Sequence, residues 1–297
     1  SGTTLLQAML ASHPRIFIPP ETRFFGVTDP DLVLGGTARG EGDLDRYLAC
    51  AVPDWTRREF GLCEADMRTR LRGSDLSTRA VFLALAAAWA DRAGKPRIGE
   101  KTPNHEKSVP RIRAVFPEAR FIQIVRDPRD VVISKRDHQL QGHESIVRYA
   151  RSMRKVYDRH ALYTRTLPPE TYTTIRYEDL VAGPEPELRR LCEFLGEAFD
   201  PAMLRYHERP EKGFAGFEGE WKNLTLQPLT KGRIGRFREK LSPREIRTVE
   251  RTIGPHLRAL GYEPAGDVPH RLDWWARDAA EYLKWRVRRA LTGRGAR

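Results

Sequence analysis

Arg126-Asp127-Pro128-Arg129-Asp130, with Ser134 eight residues after Arg126, is a set of side chains suited to holding an anion. A guanidinium, a hydroxyl and the unpaired amides of a helix start can converge on phosphate or sulfate oxygens. The competing role for Arg126 is an ion pair with Asp127 or Asp130 inside the turn. A second set opens the chain: Ser1-Gly2-Thr3-Thr4. Gly2 lets a backbone approach a ligand closely, and Thr3 and Thr4 place hydroxyls and amides where a helix N-terminus favours anions. Lys101, Tyr177 and Glu21 add an ammonium, a phenol and a carboxylate.

Each of these residues follows an element that can position it. Phe121-Ile122-Gln123-Ile124-Val125 reads as a buried parallel strand, ended by Asp127 as helix cap and Pro128 in the first helical turn. Ile16-Phe17-Ile18 is a strand closed by Pro19-Pro20 and delivers Glu21. Arg97-Ile98-Gly99-Glu100 leads as a strand to Lys101-Thr102-Pro103, and Tyr172-Thr173-Thr174-Ile175 leads to Tyr177. Helical spacing is expected over Thr4–Ser12, Leu44–Val52, Glu59–Arg70, Ala80–Ala93 with Gly94 as stop, Ser108–Phe116, Glu144–Thr166 and Pro186–Gly196. A capping box at Ser242 and Glu245 opens a helix expected to run to about Leu260. Residues 205–235 read as a long loop of functional character.

Strand and helix thus alternate, which predicts an α/β fold with a central parallel sheet covered on both faces, a three-layer α/β/α arrangement. In such sheets ligands bind beyond the carboxyl ends of the strands. Glu21, Lys101, Arg126 and Tyr177 each follow a different strand, so one converged site is expected. The opening loop is laid out like the end of a P-loop, but no lysine stands at the Walker position and no strand ends in a metal-binding Asp. A nucleoside triphosphate with its magnesium fits poorly; a smaller anionic group fits better.

Ser1-Gly2-Thr3-Thr4, Arg126-Asp127-Pro128-Arg129-Asp130 with Ser134, Arg176-Tyr177-Glu178-Asp179-Leu180, and Lys231-Gly232-Arg233-Ile234-Gly235-Arg236-Phe237 stand in an order that resembles the sulfotransferase family. The donor in that family is 3′-phosphoadenosine 5′-phosphosulfate (PAPS), and its fold is like that of P-loop nucleotide-binding proteins. The resemblance spans residue 1 to about Tyr262. It implies that Ser1, Gly2, Thr3 and Thr4 hold the 5′-phosphosulfate, Arg126 and Ser134 the 3′-phosphate, and that Tyr177 lies near the adenine. It also implies that Lys231 and Gly232 belong to a loop closing over the 3′-phosphate end, and that Lys101 approaches the transferring sulfuryl group. His138 falls where some relatives carry a phosphate-binding Arg, and Gly235 where some carry a hydroxyl residue. Cytosolic small-molecule relatives use a His two residues after the Lys. Here that position is Pro103, and His105 is expected to be carried away by the following helix. Glu21 lies in Pro-Glu-Thr-Arg, which resembles the segment bearing the carboxylate base of tyrosylprotein sulfotransferases, and is the expected catalytic base. The acceptor implied is a hydroxyl of a carbohydrate, a tyrosine or a small alcohol. No metal is implied, and no His, Cys, Asp or Glu cluster has metal-ligand spacing.

The ordinary roles competing with these are an ion pair of Glu21 with Arg23 or Arg126, of Lys101 with Glu100 or Glu106, and packing of Tyr177 under the following helix. The 297 residues and 40% hydrophobic content fit one globular domain, or one domain plus a tail; the resemblance implies a sulfotransferase domain over residues 1–265, leaving 266–297 as a basic amphipathic tail. The chain opens in mid-loop, so the preceding strand and any export signal would lie upstream. The net charge of +12 suits anionic partners in general. A nucleotide- or nucleic-acid-binding P-loop-like module without catalysis is the competing class, but the carboxylate at Glu21 counts against a polyanion there, and no nucleic acid is expected. Three cysteines, Cys50, Cys63 and Cys192, read as reduced, with a Cys50–Cys63 bridge open. No apolar run reaches the length of a membrane span, and a cytoplasmic location is expected. Arg271 to Arg297 carries eight basic and three acidic residues. Its Leu272, Trp275, Ala279, Leu283 and Val287 follow helical spacing, as for a helix lying on an anionic membrane; docking on its own domain or on a second subunit is the alternative.

Overall fold

A computed structural model describes residues 2–22, 24–27, 64–91, 93–138, 145–208, 227–266 and 272–291. The order begins α1 (Thr3–Ala11), β1 (Ile16–Phe17), α2 (Phe24–Val27), α3 (Glu64–Leu71), α4 (Thr78–Ala90) and β2 (Arg97–Ile98). A 3-10 turn at His105–Lys107 precedes α5 (Val109–Val115), β3 (Phe121–Val125), α6 (Pro128–His138) and α7 (Ile146–Thr166). β4 (Tyr172–Arg176), α8 (Tyr177–Ala182), α9 (Pro184–Leu195) and a 3-10 segment at Pro201–Glu208 follow. The chain closes with α10 (Phe237–Lys240), α11 (Pro243–Ile253), α12 (His256–Ala259) and α13 (Leu272–Leu291).

The four expected strands are present and parallel, but among the described residues they form two pairs rather than one continuous sheet. β1 pairs with β2 (Ile16↔Arg97, Phe17↔Ile98), and β3 with β4 (Phe121↔Tyr172 through Val125↔Arg176). The first pair is only two residues long because Pro19-Pro20 follows at once, and proline has no amide to extend a ladder. The β3–β4 pair carries helices on both faces. Ile124 and Ile175 pack with α1, α8 and α9 through Leu5, Leu6, Leu180, Leu188 and Leu191. Val125, next to Ile124, points the other way, onto Tyr149, Met153, Val249 and Ile253 of α7 and α11. A third cluster joins α2, α3, α4 and α5 through Phe24, Met67, Phe82 and Phe116.

Most helix limits follow local signals. Ser77 caps α4 by accepting the Ala80 amide, and the left-handed Gly94 lies just past its end. The Ser242–Glu245 capping box is formed. The helix it opens stops at Ile253 instead of continuing to Leu260, because Gly254 takes φ +61° and Pro255 restarts the chain as α12. α2, α8, α10 and the 3-10 segments at His105–Lys107 and Pro201–Glu208 are additional to the expected elements; the last overlaps the start of the expected long loop. Of the segment expected to be helical at 59–70, α3 covers Glu64–Leu71, while the helix expected at 44–52 and both Cys50 and Cys63 lie outside the described residues. Cys192 is a buried free thiol 3.6 Å from the Met203 sulfur.

Candidate functional site

The turn after β3 is built around Asp127. Its Oδ1 accepts the Arg129 amide at 2.9 Å, capping α6, and the backbone carbonyl accepts the Val131 amide at 3.0 Å. The same carboxylate takes the Arg129 side chain, Nε at 2.9 Å and Nη2 at 2.7 Å. Arg129 Nη1 donates to Glu250 Oε1 at 2.7 Å and to the Glu263 carbonyl at 3.0 Å, and the guanidinium lies 3.9 Å from the Phe237 ring centre. Burial alone would lower the pKa of Arg129, but the bonds and charges of Asp127 and Glu250 outweigh it and raise it. The ion pair within the turn therefore falls to Arg129, not to Arg126.

Arg126 is turned to the other side. Its guanidinium lies 4.5 Å from the Tyr177 ring centre, and Nη2 donates to the Arg233 carbonyl at 2.5 Å. The Tyr157 hydroxyl fixes its backbone by donating to the Arg126 carbonyl at 3.0 Å. Tyr177 starts α8 and is buried, with the Arg126 guanidinium over its ring. Burial raises the pKa of its phenol against the pull of Arg126 and Arg233, which keeps it neutral. Gly2 completes this corner with φ +87°. A Cβ there would fall 2.8 Å from Tyr177 Cδ2 and 3.0 Å from Ile124 Cδ1, so glycine is what allows the start of α1 to reach the Tyr177–Arg126 stack. Thr3 and Thr4 form the first turn of α1, exposed and half-buried. Ser1 lies outside the described residues, and Ser134 sits half-buried on α6.

Asp130 binds the loop that covers Arg126. Its carboxylate accepts the Gly235 amide at 2.7 Å and the Phe237 amide at 2.9 Å. Burial raises the Asp130 pKa, while these two amides and the charge of Arg126 pull it down. The Gly235 amide is thus engaged by the protein. Lys231 and Gly232 are exposed just ahead of Arg233, with the Gly232 amide donating to Thr230 Oγ1 at 3.2 Å. Burial, then the charges of Arg236 and Arg126, lower the pKa of Arg233. Arg126 and Arg233 lie near enough for their charges to act on each other, while Arg236 is paired with Asp137 at 3.0 Å.

The second half of the site follows from the β1–β2 register. With Phe17 opposite Ile98, the chain segments leaving the two strands run side by side and bring Glu21 to Lys101. Lys101 Nζ and Glu21 Oε1 form an ion pair, with side chains 14% and 8% exposed. This corrects the expected ordinary pairings: Lys101 is joined to Glu21 rather than to Glu100 or Glu106. Gln7 of α1 ties this half to the first by donating to the Pro19 carbonyl at 3.0 Å.

Glu100 is the residue that sequence reasoning missed. Its Oε1 accepts Thr22 Oγ1 at 2.8 Å and Thr102 Oγ1 at 2.6 Å, and its Oε2 lies 2.8 Å from His105 Nδ1. Thr22 follows Glu21 and Thr102 follows Lys101, so one carboxylate fixes both chains that carry the ion pair. The signal was an acid at a strand's carboxyl end, but it joins the segment after β2, through Thr102 and His105, to Thr22 after β1. His105 does not turn away, because Asn104 adopts φ +70° and sends its ring back to Glu100. His13 is structural: its Nε2 lies 2.7 Å from the Ala198 carbonyl, and Nδ1 accepts the Arg15 amide at 3.1 Å.

The chain belongs to the sulfotransferase family, whose pattern it matches over residues 1–201, and it is a transferase enzyme. It is 23% identical to protein-tyrosine sulfotransferase A of Caenorhabditis elegans, covering 91% of this chain and 67% of that protein. Protein-tyrosine sulfotransferase 1 of Danio rerio is 26% identical over 91% of this chain and 72% of its own length. Nodulation protein NoeE of Sinorhizobium fredii is 26% identical over 98% and 70%. Among solved structures, the sulfotransferase domain from the curacin biosynthetic pathway superposes with a TM-score of 0.61 at 23% identity, covering 89% of this chain and 94% of that one, which shows a shared α/β fold.

Proposed function

We propose that the protein transfers a sulfuryl group from PAPS to an acceptor hydroxyl by in-line displacement, on a three-layer α/β/α fold. The observation that carries this reading is the convergence of the α1 N-terminus at Gly2, the Arg126–Tyr177 stack and the Arg233 loop, with the Glu21–Lys101 pair at the ends of the neighbouring strands. The fit to the donor is one of shape and charge. Gly2, with no Cβ to strike Tyr177, lets the start of α1 reach the Arg126 stack, and Arg126 and Arg233 supply positive charge that a 3′-phosphate would need. Ser1, Gly2, Thr3 and Thr4 would hold the 5′ end, Arg126, Ser134, Lys231 and Gly232 the 3′-phosphate, and Tyr177 the adenine side.

Glu21 takes the proton from the acceptor hydroxyl as its oxygen bonds to sulfur and the bond from sulfur to the phosphate oxygen breaks. Lys101 stabilises the charge left on that phosphate oxygen. The products are a sulfate ester and 3′-phosphoadenosine 5′-phosphate. Before reaction the ion pair holds both groups in place, and Glu100 fixes the segments on either side. The carboxylate at Glu21 and the protein-tyrosine sulfotransferase relatives favour a tyrosyl hydroxyl as acceptor, with a carbohydrate or small-alcohol hydroxyl the alternative.

The donor assignment is tested by calorimetry on Arg126→Ala. Removing a charge-assisted hydrogen bond to the 3′-phosphate should cost about 1.5–3 kcal/mol, roughly ten- to hundredfold in affinity for 3′-phosphoadenosine 5′-phosphate. Adenosine 5′-monophosphate, which lacks that phosphate, should lose much less. Equal losses for the two nucleotides would remove Arg126 from the 3′-phosphate site.

A further inference from the structure

α13 carries two faces with opposite chemistry. The face against the domain is polar and aromatic. Asp278 is buried, accepting Arg244 Nη2 at 2.8 Å and Thr248 Oγ1 at 2.7 Å and pairing with Arg251. Glu281 takes Arg244 at 2.9 Å. The rings of Tyr282 and Trp285 lie 3.8 and 4.8 Å from the guanidiniums of Arg151 and Arg148 on α7. The expected apolar stripe is therefore not what docks. Leu283 and Val287 are 60% and 50% exposed, and Ala279 is exposed too; Trp275 is 59% exposed at the edge of this face, with the Arg251 guanidinium 4.2 Å from its ring centre. At 3.6 residues per turn these four positions fall within an arc of about 120° on the open side.

We infer that this open face binds the surface of an anionic lipid bilayer. Two of the helix's acids, Asp278 and Glu281, are used against the domain's arginines, and Asp273 lies 3.7 Å from Arg277. Exposed Arg286 lies within the apolar arc beside Trp275 and exposed Lys284 beyond its far edge, so positive charge stands next to the apolar side chains. Apolar residues interspersed with basic side chains match a helix lying in the headgroup region. The same charges disfavour a second copy of the chain. A two-fold contact along this arc would bring the basic side chains of both helices together, and a single 20-residue helix offers too little surface alone for a stable dimer. The inference does not depend on the donor chemistry.

The test is co-sedimentation of the full chain with vesicles of phosphatidylcholine alone and of phosphatidylcholine with one-third phosphatidylglycerol. The wild type should pellet with the anionic vesicles, at least about tenfold more than with neutral ones, and should be released by high salt. Leu283→Glu with Val287→Glu alters exposed positions only and should reduce that binding about tenfold or more while thermal unfolding stays unchanged. Lys284→Glu with Arg286→Glu should abolish the preference for anionic vesicles. Wild-type protein that remains in the supernatant with both vesicle types, or binding that the Leu283 and Val287 substitutions leave intact, overturns the inference. A dimer in analytical ultracentrifugation that these substitutions dissolve, without vesicle binding, overturns it in favour of a second copy.

Discussion

Glu21→Gln is expected to lower turnover by about 10²–10⁴ while leaving affinity for 3′-phosphoadenosine 5′-phosphate close to wild type. The substitution keeps the shape of the side chain and removes the group that accepts the proton. Glu21 is paired with Lys101, so a uniform loss of structure would also show in nucleotide binding, and the two measurements separate the roles. His105→Ala should lower turnover far less, because its ring touches Glu100 and acts only through that residue's position. Near-wild-type turnover in Glu21→Gln together with inactive His105→Ala would move the base to the histidine.

Arg129→Ala is expected to destabilise the fold by about 3–5 kcal/mol, read as the shift in a urea unfolding curve. The guanidinium is 3% exposed and joins Asp127 at the start of α6 to Glu250 on α11. Its loss strands two buried carboxylates, and a buried charge without its partner is far costlier than a missing surface ion pair. Because Asp127 is also the cap of α6, the corner that aims Arg126 would loosen with it. A change below about 1 kcal/mol would mean that water enters and compensates both acids.

The strands and their order were legible because β-branched runs ended at proline, glycine or a charged turn. β3 spans the five residues expected, Phe121–Val125. The strand ends accordingly pointed to Glu21, Lys101, Arg126 and Tyr177. Partner choice was not legible. Arg126 and Arg129 look equivalent beside Asp127 in sequence, and the reach back from the first turn of α6 gives the carboxylate to Arg129. Glu100 needed Thr22, Thr102 and His105 to be brought together by β1–β2 pairing, which no local pattern encodes. In α13 the apolar spacing was correct, but which face docks was decided by Arg244 and Arg251 meeting Asp278, a contact made across more than 25 positions of sequence.

The measurement that bears most directly on sulfuryl transfer is incubation of the full chain with sulfur-labelled PAPS and a panel of tyrosine peptides and oligosaccharides. Label should pass to a hydroxyl of at least one acceptor, with one equivalent of 3′-phosphoadenosine 5′-phosphate released per sulfate ester formed and with the transfer lost in Glu21→Gln. Tight binding of the nucleotide with no label reaching any acceptor, or transfer that persists undiminished in Glu21→Gln, would contradict it.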